Sequence, residues 1–380
     1  MSRRFPLQNV LAVLGLVLVI GSLVLTTVLP GVGNGSSQPV PATLPPDEQA
    51  VVFPTPAPGT PVVGTAGLYL HPTGTFTVLQ PQGWTPTPTT QEGVASVSMV
   101  NGALYSVVHP YIQHYDVAQN VASLDAQTDA QALAASWSAY DAWQETAREV
   151  VDDRLVIDFE LTLTGNTYLA RHITWVEPDH PNWALVLRLV APGNNPALLD
   201  RLQALVMPSF RLLPDALGVP LGWPAYIDRA WGYVIKYPET WALVDGGSGS
   251  TATLSGAEGL LTLTLSSEAE AQVADADAAR AWVQRLRAEA TILDVQPVAR
   301  TFGSGYRVAY TFPDADGQEQ SGLAVLLNGE GRLFSASVRL DQPGVNLADD
   351  GAEDDWAEAR RALATFAPLP PEAVGAGAAG

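Results

Sequence analysis

One stretch of the chain is hydrophobic without interruption, and the rest alternates. Residues 10–29 carry no charge and nothing more polar than Ser22, Thr26 and Thr27. A helix of that length spans about 30 Å, the hydrocarbon thickness of a bilayer, which predicts a transmembrane helix over residues 10–29. A cleaved secretory signal is the rival reading, but its apolar core runs about 7 to 15 residues and ends at a small-x-small site. Here the run is longer and continues into Leu29-Pro30-Gly31-Val32, which favours an uncleaved anchor. Arg3 and Arg4 are the only charges before Asp47, so the positive-inside rule places residues 1–9 in the cytoplasm and everything after the span outside it. Residues 30–66 are rich in Pro, Gly, Ser and Thr, cannot bury enough apolar surface to offset their ordering entropy, and read as a stalk.

From residue 67 the apolar spacing repeats itself. Tyr69, Phe76, Pro81 and Trp84 recur as Tyr226, Tyr233, Pro238 and Trp241, each displaced by 157 positions, and Gly102 recurs as Gly259. Further on the displacement becomes 151. The alternating Leu155, Ile157, Phe159 and Leu161 match Tyr306, Val308, Tyr310 and Phe312, and Arg188-Leu189 matches Arg339-Leu340. A tandem duplication accounts for both, with domains at 67–214 and 222–370, a linker at 215–221 and a disordered tail at 371–380.

Both copies predict the same elements. Period-two runs give strands at 76–80 and 233–237, each stopped by a proline, and hairpins at 94–100/103–108 and 251–255/260–266. Helical spacing follows at 121–143 and 274–290, where Ala278, Trp282, Leu286 and Ala290 recur every fourth residue. In the second copy strands are expected at 295–302, 306–312, 322–328 and 333–340. Closing helices are expected at 196–205 and 354–364. Strands grouped around two helices argue antiparallel sheets with helical cover, an α+β class.

The pattern running from Phe76 through Pro81 to Trp84, and again from Tyr233 through Pro238 to Trp241, followed by hairpin, helix, sheet and final helix, resembles the PsbP-like superfamily. That family is named for an extrinsic photosystem II subunit and includes many anchored bacterial proteins. The resemblance implies two tandem α/β/α sandwich domains over about 290 residues and no catalytic residues. Anchored bacterial relatives are often lipoproteins, whereas this chain has no cysteine.

Composition narrows the chemistry. At 380 residues and 47% hydrophobic content the chain can build a proper core. With 39 acidic against 19 basic residues the net charge is −20, which excludes a broad nucleic-acid-binding surface. The absence of cysteine removes disulfides, thiolate metal sites and cysteine nucleophiles.

The candidates that remain are few. All five histidines, His71, His109, His114, His172 and His180, fall in the first copy, and residues 109–116 bring two of them near Asp116. The spacing is not that of a helical zinc motif, and Pro110 points to a solvated loop after a strand. Asp314-Ala315-Asp316-Gly317 resembles the start of a calcium loop, but the later ligands are missing and a hairpin turn is expected. The acidic run Asp349, Asp350, Glu353, Asp354, Asp355 and Glu358 suits the N-terminus of the last helix. Residues 246–250 lack the closing glycine of a nucleophile elbow. The one lysine, Lys236, lies in an expected strand rather than a phosphate loop. Trp84 and Trp241 are expected in the cores; Trp175, Trp183, Trp223 and Trp231 have no counterpart, and core is the default for them too, with a cleft as the alternative for some.

No catalytic, cofactor or metal site is assigned. The expected function is a non-enzymatic, membrane-tethered binding or assembly module outside the cytoplasm. It is held in the cell membrane through residues 10–29 and engages another protein. The alternatives are capture of a small apolar ligand between sheet and helix, and a metal-dependent hydrolase using the first-copy histidines.

Overall fold

The computed structural model describes residues 63–374, apart from residues 92, 247–249, 343–344, 346 and 348–355. The expected membrane span at 10–29, nearly all of the stalk and most of the 371–380 tail lie outside the described residues. Among the described residues no helix is long and apolar enough to cross a membrane.

In the first unit the strands are β1 (Thr65–Leu70), β2 (Phe76–Pro81), β3 (Thr85–Gln91), β4 (Val94–Asn101), β5 (Ser106–His114), β6 (Ala142–Val151), β7 (Arg154–Leu163), β8 (Asn166–Glu177), β9 (His180–Pro192) and β10 (Arg211–Leu212). Its helices are α1 (Val121–Gln127), α2 (Ala130–Ser136) and α3 (Pro196–Val206). The second unit runs through β11 (Ala225–Asp228), β12 (Tyr233–Lys236), β13 (Ala242–Asp245), β14 (Thr251–Gly256), β15 (Leu261–Ala269), α4 (Ala276–Leu286), β16 (Thr291–Arg300), β17 (Gly303–Pro313), β18 (Glu319–Gly329), β19 (Arg332–Leu340), α5 (Ala357–Ala364) and β20 (Ala367–Pro368).

The duplication read from the sequence reappears in the topology. Each unit holds a seven-stranded sheet, ordered β3-β4-β5-β9-β8-β7-β6 in the first and β13-β14-β15-β19-β18-β17-β16 in the second. Each also holds a three-stranded sheet, β1-β2-β10 and β11-β12-β20. The alternating apolar residues of β7 (Leu155, Ile157, Phe159 and Leu161) are all buried, as the pleat requires when one face meets a core.

The α+β expectation of two α/β/α sandwiches is corrected: the described residues are predominantly β. Two physical reasons account for it. The opening strands do not join the main sheet; β2 lays Phe76 and Val78, and β12 lays Tyr233 and Ile235, over one face of the large sheet as a second β layer beside α3 or α5. The helical content also shrinks. The helix expected at 121–143 breaks into two seven-residue pieces, because Asn120 caps the first through Ser123 N (2.9 Å) and Asp129 starts another by accepting from Ala132 N (2.9 Å). Trp143 then lies in β6, and the helix expected at 274–290 is Ala276–Leu286.

The small sheets also have outer faces, and those meet each other. Leu70 and Leu213 from the first unit form one buried cluster with Val234, Ala367, Leu369 and Ala373 from the second. Gly74 lies in this contact with φ +68°, where a Cβ would come 3.0 Å from Val234 Cγ2 and 3.3 Å from Ala225 Cβ. The layers therefore run large sheet, small sheet, small sheet, large sheet. The segment read as a linker, 215–221, is threaded into both cores: Val219 packs in that of the second unit and Leu221 in that of the first.

Gly74→Ala is expected to lower stability by about 1–2 kcal/mol through its left-handed backbone, plus a contribution from crowding Val234. Urea unfolding measures it, and part of the cost should disappear in a Val234→Ala background. Equal costs in both backgrounds would show that the two units do not touch at Gly74.

Candidate functional site

Where the two units and the join between them come together, a cleft of about 850 Å³ opens. The first unit supplies the turn residues Pro72 and Thr73, the end of β3 and, at the paired ends of β5 and β9, His114 and Trp183. The join supplies Leu217, Val219 and Leu221, and the second unit adds Trp223 and Glu239. His114 lies against Trp183 with ring centroids 4.8 Å apart. Trp183 and Trp223 are each only 8% exposed, so their rings form the wall and their edges reach the opening. The surface is mostly apolar, with a few polar groups at the rim, a composition suited to an apolar body with one polar end.

Two buried titratable groups stiffen the ground behind the cleft. His71 sits at the turn between β1 and β2, stacked 4.7 Å from Phe76, with Nδ1 2.7 Å from Thr73 Oγ1 and Nε2 3.0 Å from Ser96 O. Burial, opposed by its hydrogen bonds, pushes its pKa down to about 4 and keeps the ring neutral. Lys236 is wholly buried at the end of β12, and its Nζ donates to Pro220 O at 2.9 Å and Leu221 O at 3.4 Å. Desolvation pulls the ammonium down to about 8. Both acceptors belong to the join, so this side chain fastens the cleft floor to the second unit.

The histidines are dispersed rather than gathered. His109 and His114, five residues apart on β5, point to opposite faces because successive side chains alternate. His172 lies on β8 and His180 opens β9. The loop expected at 109–116 is corrected: β5 continues to His114 as an interior strand. It tolerates Pro110 because the ladder to β4 is interrupted there, between the Ser96–Tyr111 and Met99–Val108 pairs. Among the described residues no group of three or more metal-binding side chains comes together.

The other candidates fall into place individually. Asp314 is a turn residue; its Oδ1 accepts from Asp316 N (2.9 Å) and Gln318 N (2.8 Å), which holds its carboxyl below the usual range. Residues 247–249 and 349–355 lie outside the described residues, while Glu358 sits in the first turn of α5. Trp84 and Trp241 are buried in the two cores at matched places. Trp175 packs half-buried on the first core, and Arg332 lies 5.1 Å over the Trp231 ring. The sequence reading put the four unpaired tryptophans in the core by default, with a cleft as the alternative for some, and so did not single out Trp183 and Trp223; it also missed the join, whose Leu217, Val219 and Leu221 alternate and lead into Trp223.

No family model and no curated protein matches the chain. Among solved structures, it is similar to the cyanobacterial PsbP protein of Synechocystis sp. PCC 6803, with 17% identity and a TM-score of 0.30 over 38% of this chain and 91% of that one. It is also similar to the type VI secretion immunity protein TplEi of Pseudomonas aeruginosa, with 10% identity and a TM-score of 0.24 over 76% of this chain and 98% of that one. The PsbP resemblance thus extends to one stretch of the chain at low structural overlap, and the cleft is interpreted from its own residues.

Lys236 binds its proton less tightly folded than unfolded, so its contribution to stability is present above pH 10.5 and is lost as pH falls towards about 8. Lys236→Met should therefore gain most over the parent protein near pH 8, and the gap in melting temperature should narrow towards pH 10.5. A gap independent of pH across that window would show that the ammonium is not desolvated.

Proposed function

We propose that the protein is a non-enzymatic binding module displayed outside the cytoplasm on a membrane tether, and that it holds an apolar ligand in the cleft between its two units. The observation that carries the binding reading is the 850 Å³ cleft walled by Trp183 and Trp223. Its volume lies within the roughly 300–1,000 Å³ common to small-molecule sites, and the meeting of two units is where such sites form. This moves the apolar-ligand reading from the space between sheet and helix, which side chains fill, to the seam between the units. The apolar run at residues 10–29, preceded by Arg3 and Arg4, supports the tether. A tandem PsbP-like kinship is supported by the matched Phe76–Trp84 and Tyr233–Trp241 patterns.

Titration with 1-anilinonaphthalene-8-sulfonate should show one saturable site per chain, with quenching of tryptophan emission. Trp223→Ala should weaken it by at least about tenfold, because a large aromatic wall carries much of the contact energy. Non-stoichiometric binding, or binding indifferent to Trp223, would overturn the cleft reading. The tether is tested separately. Protease added to intact cells or spheroplasts should release a folded fragment near residues 67–370, and cleavage only after lysis would reverse the orientation.

A further inference from the structure

We propose a second binding site, specific for a carboxylate, on the opposite face of the first unit's large sheet from the cleft, centred on Arg188. The β-ladder sets it up. Arg188 on β9 pairs directly with His109 on β5 and with His172 on β8, so the three side chains form one row across adjacent strands on the face beneath α2. The guanidinium is held by neutral groups: Nε donates to His172 Nδ1 (3.2 Å), and Nη2 donates to Tyr111 Oη (3.0 Å) and Ser136 Oγ (2.9 Å). It also lies 5.1 Å over the Tyr111 ring and 5.7 Å over the Trp137 ring.

Among the described residues no aspartate or glutamate forms an ion pair with Arg188. The arginine is therefore oriented but not neutralised. Among the described residues its Nη1 makes no hydrogen bond, nor does the His109 imidazole beside it, and neither residue is fully buried. Burial and the adjacent guanidinium keep that imidazole neutral, with its pKa down to about 3, so it retains one N–H to donate. A guanidinium nitrogen and an imidazole N–H, side by side and unspent, match the two oxygens of a carboxylate.

The duplicate identifies the anion. Arg339 stands at the matched position of the second unit, and its Nη2 is 2.8 Å from Asp341 Oδ2, a carboxylate from its own strand end. The residue matched to Asp341 in the first unit is Val190, which is buried in the core beneath α2. One copy of this arginine thus carries an internal carboxylate, and the other presents the same cation without one. In a chain of net charge −20 the background repels anions, so uptake at Arg188 must come from local pairing.

The probe is sodium acetate, compared with sodium chloride at constant ionic strength and followed by NMR on the full chain. Acetate should give saturable shifts at His109 and at the Trp137 indole that chloride does not reproduce. Arg188→Gln should abolish them, and Arg339→Gln should leave them in place. If Arg188→Gln does not fold, His109→Phe keeps the cation and should weaken acetate by several fold. Equal responses to acetate and chloride, or acetate shifts that survive either first-unit substitution unchanged, would overturn the site. A larger response to inorganic phosphate than to acetate would overturn the assignment to carboxylate.

Discussion

A β-sheet has two faces, and in this protein that constraint falls hardest on the small sheets. Each three-stranded sheet spends its inner face on the large sheet of its own unit, through Phe76 and Val78 or Tyr233 and Ile235. Its outer face, carrying Leu70 or Val234, would be left in water if the unit stood alone. Laying one outer face on the other covers both at once, and everything between the units follows from it. The cleft exists because the two bodies are held in one pose, with the join running along the edge of their contact.

The join makes that pose specific. Apolar burial alone tolerates sliding, but a desolvated ammonium demands particular acceptors in particular places. Lys236 finds them in two carbonyls of the connecting segment and, among the described residues, in no carboxylate. A strongly acidic chain that places its one lysine in such a position trades stability for registration between the units.

Much of this was legible in the sequence because duplication doubles the signal. The strand alternation at Leu155 to Leu161, the paired Trp84 and Trp241 and the hairpin turn at Asp314 all follow from local spacing, and the structure keeps them. What escaped depends on information that spacing lacks. The run Val121 to Trp143 has helical composition, yet the new cap at Asp129 divides it into two short helices, and Trp143 answers to a neighbouring strand instead. The strand β3, with its alternating Thr and Pro, shows no apolar period because it lies at a sheet edge, where prolines are tolerated. The cleft and the Arg188 row are products of which faces meet, and a period of two says only that a face exists.

The connecting segment crosses over as it passes between the units, with Val219 seated in the second core and Leu221 in the first. A tether of that kind behaves as a rivet and not as a hinge. Two-lobed receptors whose lobes swing apart spend part of their ligand affinity on closure, and their association rates carry the cost of waiting for the open form. A riveted seam has no closure to drive. Under the proposed binding role, its selectivity would be that of a fixed mould, set by shape before the guest arrives, and its occupancy would send no large motion through the rest of the molecule. Any message it conveys must be read from the seam's own surface.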